Sequence, residues 1–131
     1  MKKFYFSLLT FISVFTLFII FKIRWFFLSF DSLIRFSSQF SILFSRKDKK
    51  NLYTTLRAIN FCSFIFLPRN CLVSSSVLKK IYPLTSDLKF YIGIKKTEEG
   101  GFNSHSWVEL DNVVILGNLK DLHHFKRIHS Y

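Results

Sequence analysis

The chain has 131 residues, enough for one domain with a modest core and too few for two. Half of it is hydrophobic, with eighteen Phe against four Gly and two Pro, which excludes a disordered chain and predicts long runs of regular structure. Nineteen Lys and Arg over eight Asp and Glu give a formal charge of +11 and an attraction for anionic partners, but no RNA-reading aromatic signature or zinc-finger spacing accompanies it, so a basic membrane-facing surface fits better than nucleic acid.

From Phe4 to Phe21 no residue carries a formal charge, and Lys2, Lys3, Lys22 and Arg24 flank the run. It sits at the lower limit for a helix that spans a bilayer. Ser7, Thr10, Ser13 and Thr16 recur every third residue, a hydroxyl line that faces neighbouring helices or the helix backbone rather than lipid. Basic residues on both sides set no orientation, and Trp25, Phe26 and Phe27 suit a membrane interface, so association with a membrane surface is favoured over spanning. The competing reading is a helix buried against the rest of the domain.

Between Asp31 and Ser45, Leu33, Phe36, Phe40, Leu43 and Phe44 fall at helical steps, with Asp31 or Ser32 as cap. Arg46 to Asn51 reads as a charged linker. Residues 1–50 are therefore taken as a helical N-terminal region and 51–131 as the domain proper. A helix follows from Leu52 to about Phe66, stopped by Pro68, with Leu52, Leu56, Ile59 and Cys62 on one face, which makes Cys62 an ordinary core thiol. Asn70 then caps a helix that begins at Cys71 and ends at Tyr82, before Pro83.

Leu88 to Lys95 is rich in β-forming residues, and Glu98 to Gly101 supplies a turn. Ser104–Leu110 and Val113–Leu116 are two more strands around Asp111 and Asn112, a pair suited to the positive φ angles of a tight hairpin. The fold class expected is α+β, with N-terminal helices followed by a helix on a small antiparallel sheet. His123, His124 and His129 match no zinc spacing and read as a polar tail. There is no glycine-rich phosphate loop, so neither a metal nor a nucleotide cofactor is expected.

A cysteine at a helix N-terminus meets free N–H groups and the positive end of the helix dipole, both of which favour the nucleophilic thiolate. Alternation along Ser104–Leu110 puts His105, Trp107 and Glu109 on one face, and a helix led by Cys71 packed on that face brings an imidazole to the thiol. Counting outward from the Asp111–Asn112 turn pairs Leu110 with Val113, Val108 with Ile115 and His105 with Asn118. Asn118 is thus the first candidate to orient the ring, and Asp121 is the alternative if the chain folds back. Asp111 is too far, about 20 Å at ~3.3 Å per strand residue. Glu109 reads as a rim carboxylate. Cys62 and Cys71, with no signal-peptide cleavage pattern, point to reduced thiols in the cytoplasm.

The ordered stretches NCLVSSSVLKKIYP, LKFYIGIKK and FNSHSWVELDNVVILGN, over roughly residues 52–128, resemble the leader peptidase of lasso peptide biosynthesis, a transglutaminase-like cysteine protease family. The resemblance rests on Cys71 with Leu72, Ile92 to Ile94, and His105, Ser106, Trp107, Val108 and Glu109. It implies a papain- or transglutaminase-like core and leader removal from a ribosomally made precursor peptide. It also implies two partners, a small leader-recognition protein and an ATP-dependent macrolactam cyclase, and a Cys-His-acid site that carries over to Cys71 and His105. Where several relatives have an Asp after the His strand this chain has Gly117 and Asn118, and Val73 and Ser74 stand where a basic residue is frequent. The expected setting is the cytoplasm, at the inner face of the cell membrane. The reading from another class is a non-catalytic membrane-associated scaffold that holds precursor and cyclase together.

Overall fold

The structure, a computed structural model, describes residues 2–27, 35, 49–66, 71–82 and 87–130. The amphipathic segment expected over 31–45 lies outside these residues except for Arg35, as do Asn70, Pro68 and Pro83. Among the described residues three α-helices, α1 (Lys2–Phe27), α2 (Lys49–Ile65) and α3 (Cys71–Ile81), precede four strands, β1 (Leu88–Lys96), β2 (Phe102–Leu110), β3 (Val113–Leu116) and β4 (Lys126–Ser130). The fold is α+β, as the pattern predicts.

In α1 the positions Thr10, Val14, Leu17, Phe18 and Phe21 repeat at three- and four-residue steps and are all buried. That stripe packs on α2 and α3, with Phe11 against Phe61 and Phe18 stacked on Phe66. The hydroxyls off this stripe bond the helix's own backbone: Ser13 donates to the Leu9 carbonyl at 2.8 Å and Thr16 to that of Ile12 at 2.9 Å. The opposite face leaves Leu9, Ile12 and Ile23 about half exposed. Among the described residues no helix is long and apolar enough to cross a membrane.

α2 begins at Lys49, so the last part of the expected linker is helical. Its face of Leu52, Leu56, Ile59 and Cys62 is buried, with Cys62 at 0 % exposure. α3 lies between the α1–α2 pair and the sheet and is buried on both sides, from Leu72 without a break to Leu78. The run of Ser74, Ser75 and Ser76 at its centre suits this position, because small side chains allow close approach to the neighbouring layers.

The sheet order is β3-β2-β1-β4, antiparallel throughout. β1 and β2 pair along their full length, from Leu88 opposite Leu110 to Lys96 opposite Phe102, across a turn closed by the Thr97 N–H on the Gly101 carbonyl. Asp111 and Asn112 have φ of 51° and 64°, the paired positive values of a tight two-residue hairpin. Leu110 pairs with Val113 as expected, but a bulge between Val108 and Glu109 then places Val108 opposite Leu116 instead of Ile115. β4 was expected as a polar tail. All five of its residues are exposed, so it carries none of the alternation that marks a half-buried strand, yet it pairs with β1.

Candidate active site

Cys71 opens α3 and is half-buried. Sequence alternation places α3 on the His105 face of β2, whereas the structure puts it on the other one: Ser106 donates through Oγ to Ser75 at 2.9 Å, and Val108 joins the core with Val73 and Val77. Thiol and imidazole meet around the edge of the strand. Because β3 pairs with β2 only as far as Val108, the N–H of Ser106 is left facing an open edge, and Cys71 Sγ accepts from it at 3.4 Å. Ser75 in turn donates to the Cys71 carbonyl at 3.0 Å, so a hydroxyl chain ties the first turn of α3 to β2.

His105 is half-buried on the opposite face, beside Trp107, whose ring lies nearly parallel at 6.3 Å between centroids, and Phe125 at 5.6 Å. Its Nε2 sits 2.7 Å from the Gly117 carbonyl oxygen. A carbonyl only accepts, so Nε2 carries the proton and Nδ1 is the nitrogen left for the Cys71 thiol. Burial pushes the thiol up, but its hydrogen bond with His105, the Ser106 N–H, the imidazole's charge and the Leu72 N–H bring it below the ordinary value. Burial pushes the imidazole down, and the bonds to Cys71 and Gly117, with the charges of Cys71 and Asp121, carry it above its usual value. Both shifts favour passing the proton from sulfur to nitrogen. Burial alone acts on Cys62 and raises its thiol.

The remaining sequence-selected groups stand as follows. Asn118 is exposed and lines the same cleft, but it makes no hydrogen bond to the imidazole, because β3 ends at Leu116 and the bulge has already shifted the register on which the His105–Asn118 pairing depends. Asp121 is paired with Lys95, which holds its carboxyl below the usual range. Glu109 is not a rim carboxylate: it is 6 % exposed and accepts from Trp107 Nε1 at 3.0 Å and from Arg127 at 2.8 Å. Among the described residues no group of His, Cys, Asp or Glu is arranged to hold a metal ion.

A cleft of about 720 Å³ opens over Cys71 and His105. Asn60, Ser63 and Phe64 of α2 form one wall, which sequence reading did not anticipate, and Ser104, Leu116 and Leu119 contribute to the other. The Ser106 N–H and the Gly117 carbonyl were missed for a plain reason: main-chain groups have no signature in residue type. A depressed thiol facing a raised imidazole, with two N–H groups on the sulfur, is equipped for nucleophilic attack on an acyl carbon.

No characterised protein and no solved structure gives a significant match to this chain. A family model described as the transglutaminase-like superfamily matches residues 24–130, from the end of α1 through β4. With its cysteine-protease-like arrangement of a helix-leading Cys on an antiparallel sheet, the chain belongs to the transglutaminase-like superfamily.

Proposed function

We propose that this protein is a cysteine peptidase that removes the leader from a lasso-type ribosomal precursor peptide. The observation that carries the reading is the Cys71–His105 pair, with the thiol lowered and the imidazole raised at the floor of an open cleft. The lasso assignment is supported by the ordered Cys71, Ile92–Ile94 and His105–Glu109 stretches.

In this reading His105 Nδ1 takes the proton from Cys71 Sγ, and the thiolate attacks the carbonyl carbon at the leader–core junction. The oxyanion is held by main-chain N–H groups at the start of α3. As the C–N bond breaks, His105 returns the proton to the departing amine, leaving a thioester on Cys71. Water, deprotonated by the same ring, hydrolyses the thioester to a free carboxylate and restores the thiol. A small leader-recognition protein delivers the substrate and a macrolactam cyclase acts on the released core. The half-exposed Leu9, Ile12 and Ile23 favour work at a membrane surface. A purely scaffolding role gives the lowered thiol no task.

The test is mass spectrometry of a candidate precursor incubated with the protein and its leader-recognition partner, beside a Cys71→Ala variant. A leader-sized loss only with Cys71 present is expected. Cleavage by folded Cys71→Ala, or none by the complete wild-type system, refutes the assignment.

A further inference from the structure

We infer that the main-chain carbonyl of Gly117, and no side chain, is the group that orients His105. The inference rests on the reading of Cys71 and His105 as a nucleophile–base pair and names the third member of that site. The oxygen lies 2.7 Å from Nε2, and as an acceptor only it fixes the ring proton there, so the lone pair of the neutral ring is on Nδ1, toward the thiol. A carboxamide in this place would do the same work.

The position of that oxygen is built into the backbone. Gly117 has φ +75°, in the left-handed region that side chains rarely adopt. A β-carbon there would also stand 2.5 Å from the Ser106 carbonyl oxygen and 3.1 Å from Trp107 Cα. Gly117 is thus pressed onto the backbone of β2 beside the ring it contacts. One residue, Ser106, touches both halves of the site: its N–H reaches the sulfur at 3.4 Å and its carbonyl oxygen abuts Gly117.

The rival side chains are otherwise placed. Asn118 lines the cleft without bonding the ring, and Asp121, the other charge acting on His105 besides Cys71, is paired with Lys95 of β1. Gly117 is a positioning residue: its carbonyl acts through the ring of His105.

The experiment is carbamidomethylation of Cys71 by iodoacetamide as a function of pH, read by peptide mass spectrometry that separates it from buried Cys62. It needs no peptide substrate. In wild type the reaction persists below the ordinary thiol range. In Gly117→Ala, shown to be folded by circular dichroism, the acid limb moves up by about one pH unit, and the rate on that limb falls about tenfold. Asn118→Ala keeps the wild-type curve, and Asp121→Asn shifts it less than Gly117→Ala does. A folded Gly117→Ala with the wild-type curve, or an equal shift in Asn118→Ala or Asp121→Asn, overturns the inference and leaves the peptidase reading intact. A wild-type thiol that titrates in the ordinary range overturns both. If Gly117→Ala does not fold, ¹⁵N spectra of histidine-labelled wild type decide: neutral His105 protonated at Nε2 supports the inference, and protonated at Nδ1 refutes it.

Discussion

Gly93 sits in the middle of β1, where glycine weakens a strand and therefore needs a reason to be there. The reason is Trp107, whose ring crosses over it from β2: a β-carbon at residue 93 would stand 2.8 Å from Trp107 Cζ3, 2.9 Å from Cη2 and 3.1 Å from the Lys126 carbonyl oxygen. Carbon atoms prefer about 3.5–4.0 Å, so something must give by more than half an ångström. The indole is 2 % exposed and its N–H is held by Glu109, which Arg127 holds in turn. The Lys126 oxygen belongs to β4, paired with β1 at this point.

Gly93→Ala therefore overpacks a site whose walls are fixed, at about 1–3 kcal/mol. A tilted indole that loses Glu109 adds about 1 kcal/mol, while the stiffer unfolded chain returns about 0.4–1 kcal/mol. The net expectation is about 1–3.5 kcal/mol, or roughly 4–14 °C in Tm for a domain of this size. Thermal denaturation followed by circular dichroism measures it. In a Trp107→Phe background, which lacks the two clashing carbons, the same Gly93→Ala change should cost at least about 1 kcal/mol less. An equal cost in both backgrounds, or a Gly93→Ala melting point within about 1 °C of wild type, where a shift several times larger is expected, would refute the account. Because Trp107 lies parallel to His105, the change should also slow Cys71 alkylation.

Turnover should follow a bell-shaped pH profile: the acid limb, where Cys71 takes up its proton, falls below the ordinary thiol range, and the alkaline limb, where His105 loses its own, falls above the ordinary imidazole range. Steady-state rates against pH test both limbs, and an acid limb at the ordinary thiol value contradicts the pairing. Arg127→Ala strips buried Glu109 of its charged partner and leaves it the indole N–H alone. With the guanidinium 55 % exposed in its side chain, the loss is about 1–2 kcal/mol and not the 3–5 of a fully buried pair. Urea denaturation should show this, with Glu109→Gln in the same background recovering most of it.

The elements legible in sequence are those with a strong local cause. Cys71–Ile81 has its apolar residues at helical spacing, and Asp111 with Asn112 is a turn pair that specifies its own geometry. β4 was missed because Lys126–Ser130 is exposed throughout and owes its place to main-chain pairing with β1, not to buried side chains. Alternation correctly divides His105, Trp107 and Glu109 from Ser106 and Val108, but alternation alone does not say which face receives the helix. The deciding contacts are Ser75 on Ser106 and the valines of α3 around Val108, which are tertiary.

The His105–Asn118 pairing expected from the hairpin is absent for a related reason. Counting from a hairpin turn assumes one partner per residue, and a single bulge at Val108–Glu109 breaks that count before it reaches His105. The same irregularity helps to make the site possible. Were β3 to continue in register beyond Leu116, it would pair along β2 past Ser106 and claim the N–H that Cys71 now accepts. Instead the chain turns at Gly117, in a conformation and a space that suit glycine, and presents a carbonyl to the ring. A strand end, a bulge and one glycine thus leave the edge of the sheet open to the sulfur while closing it on the imidazole. None of the three contributes a reactive side chain.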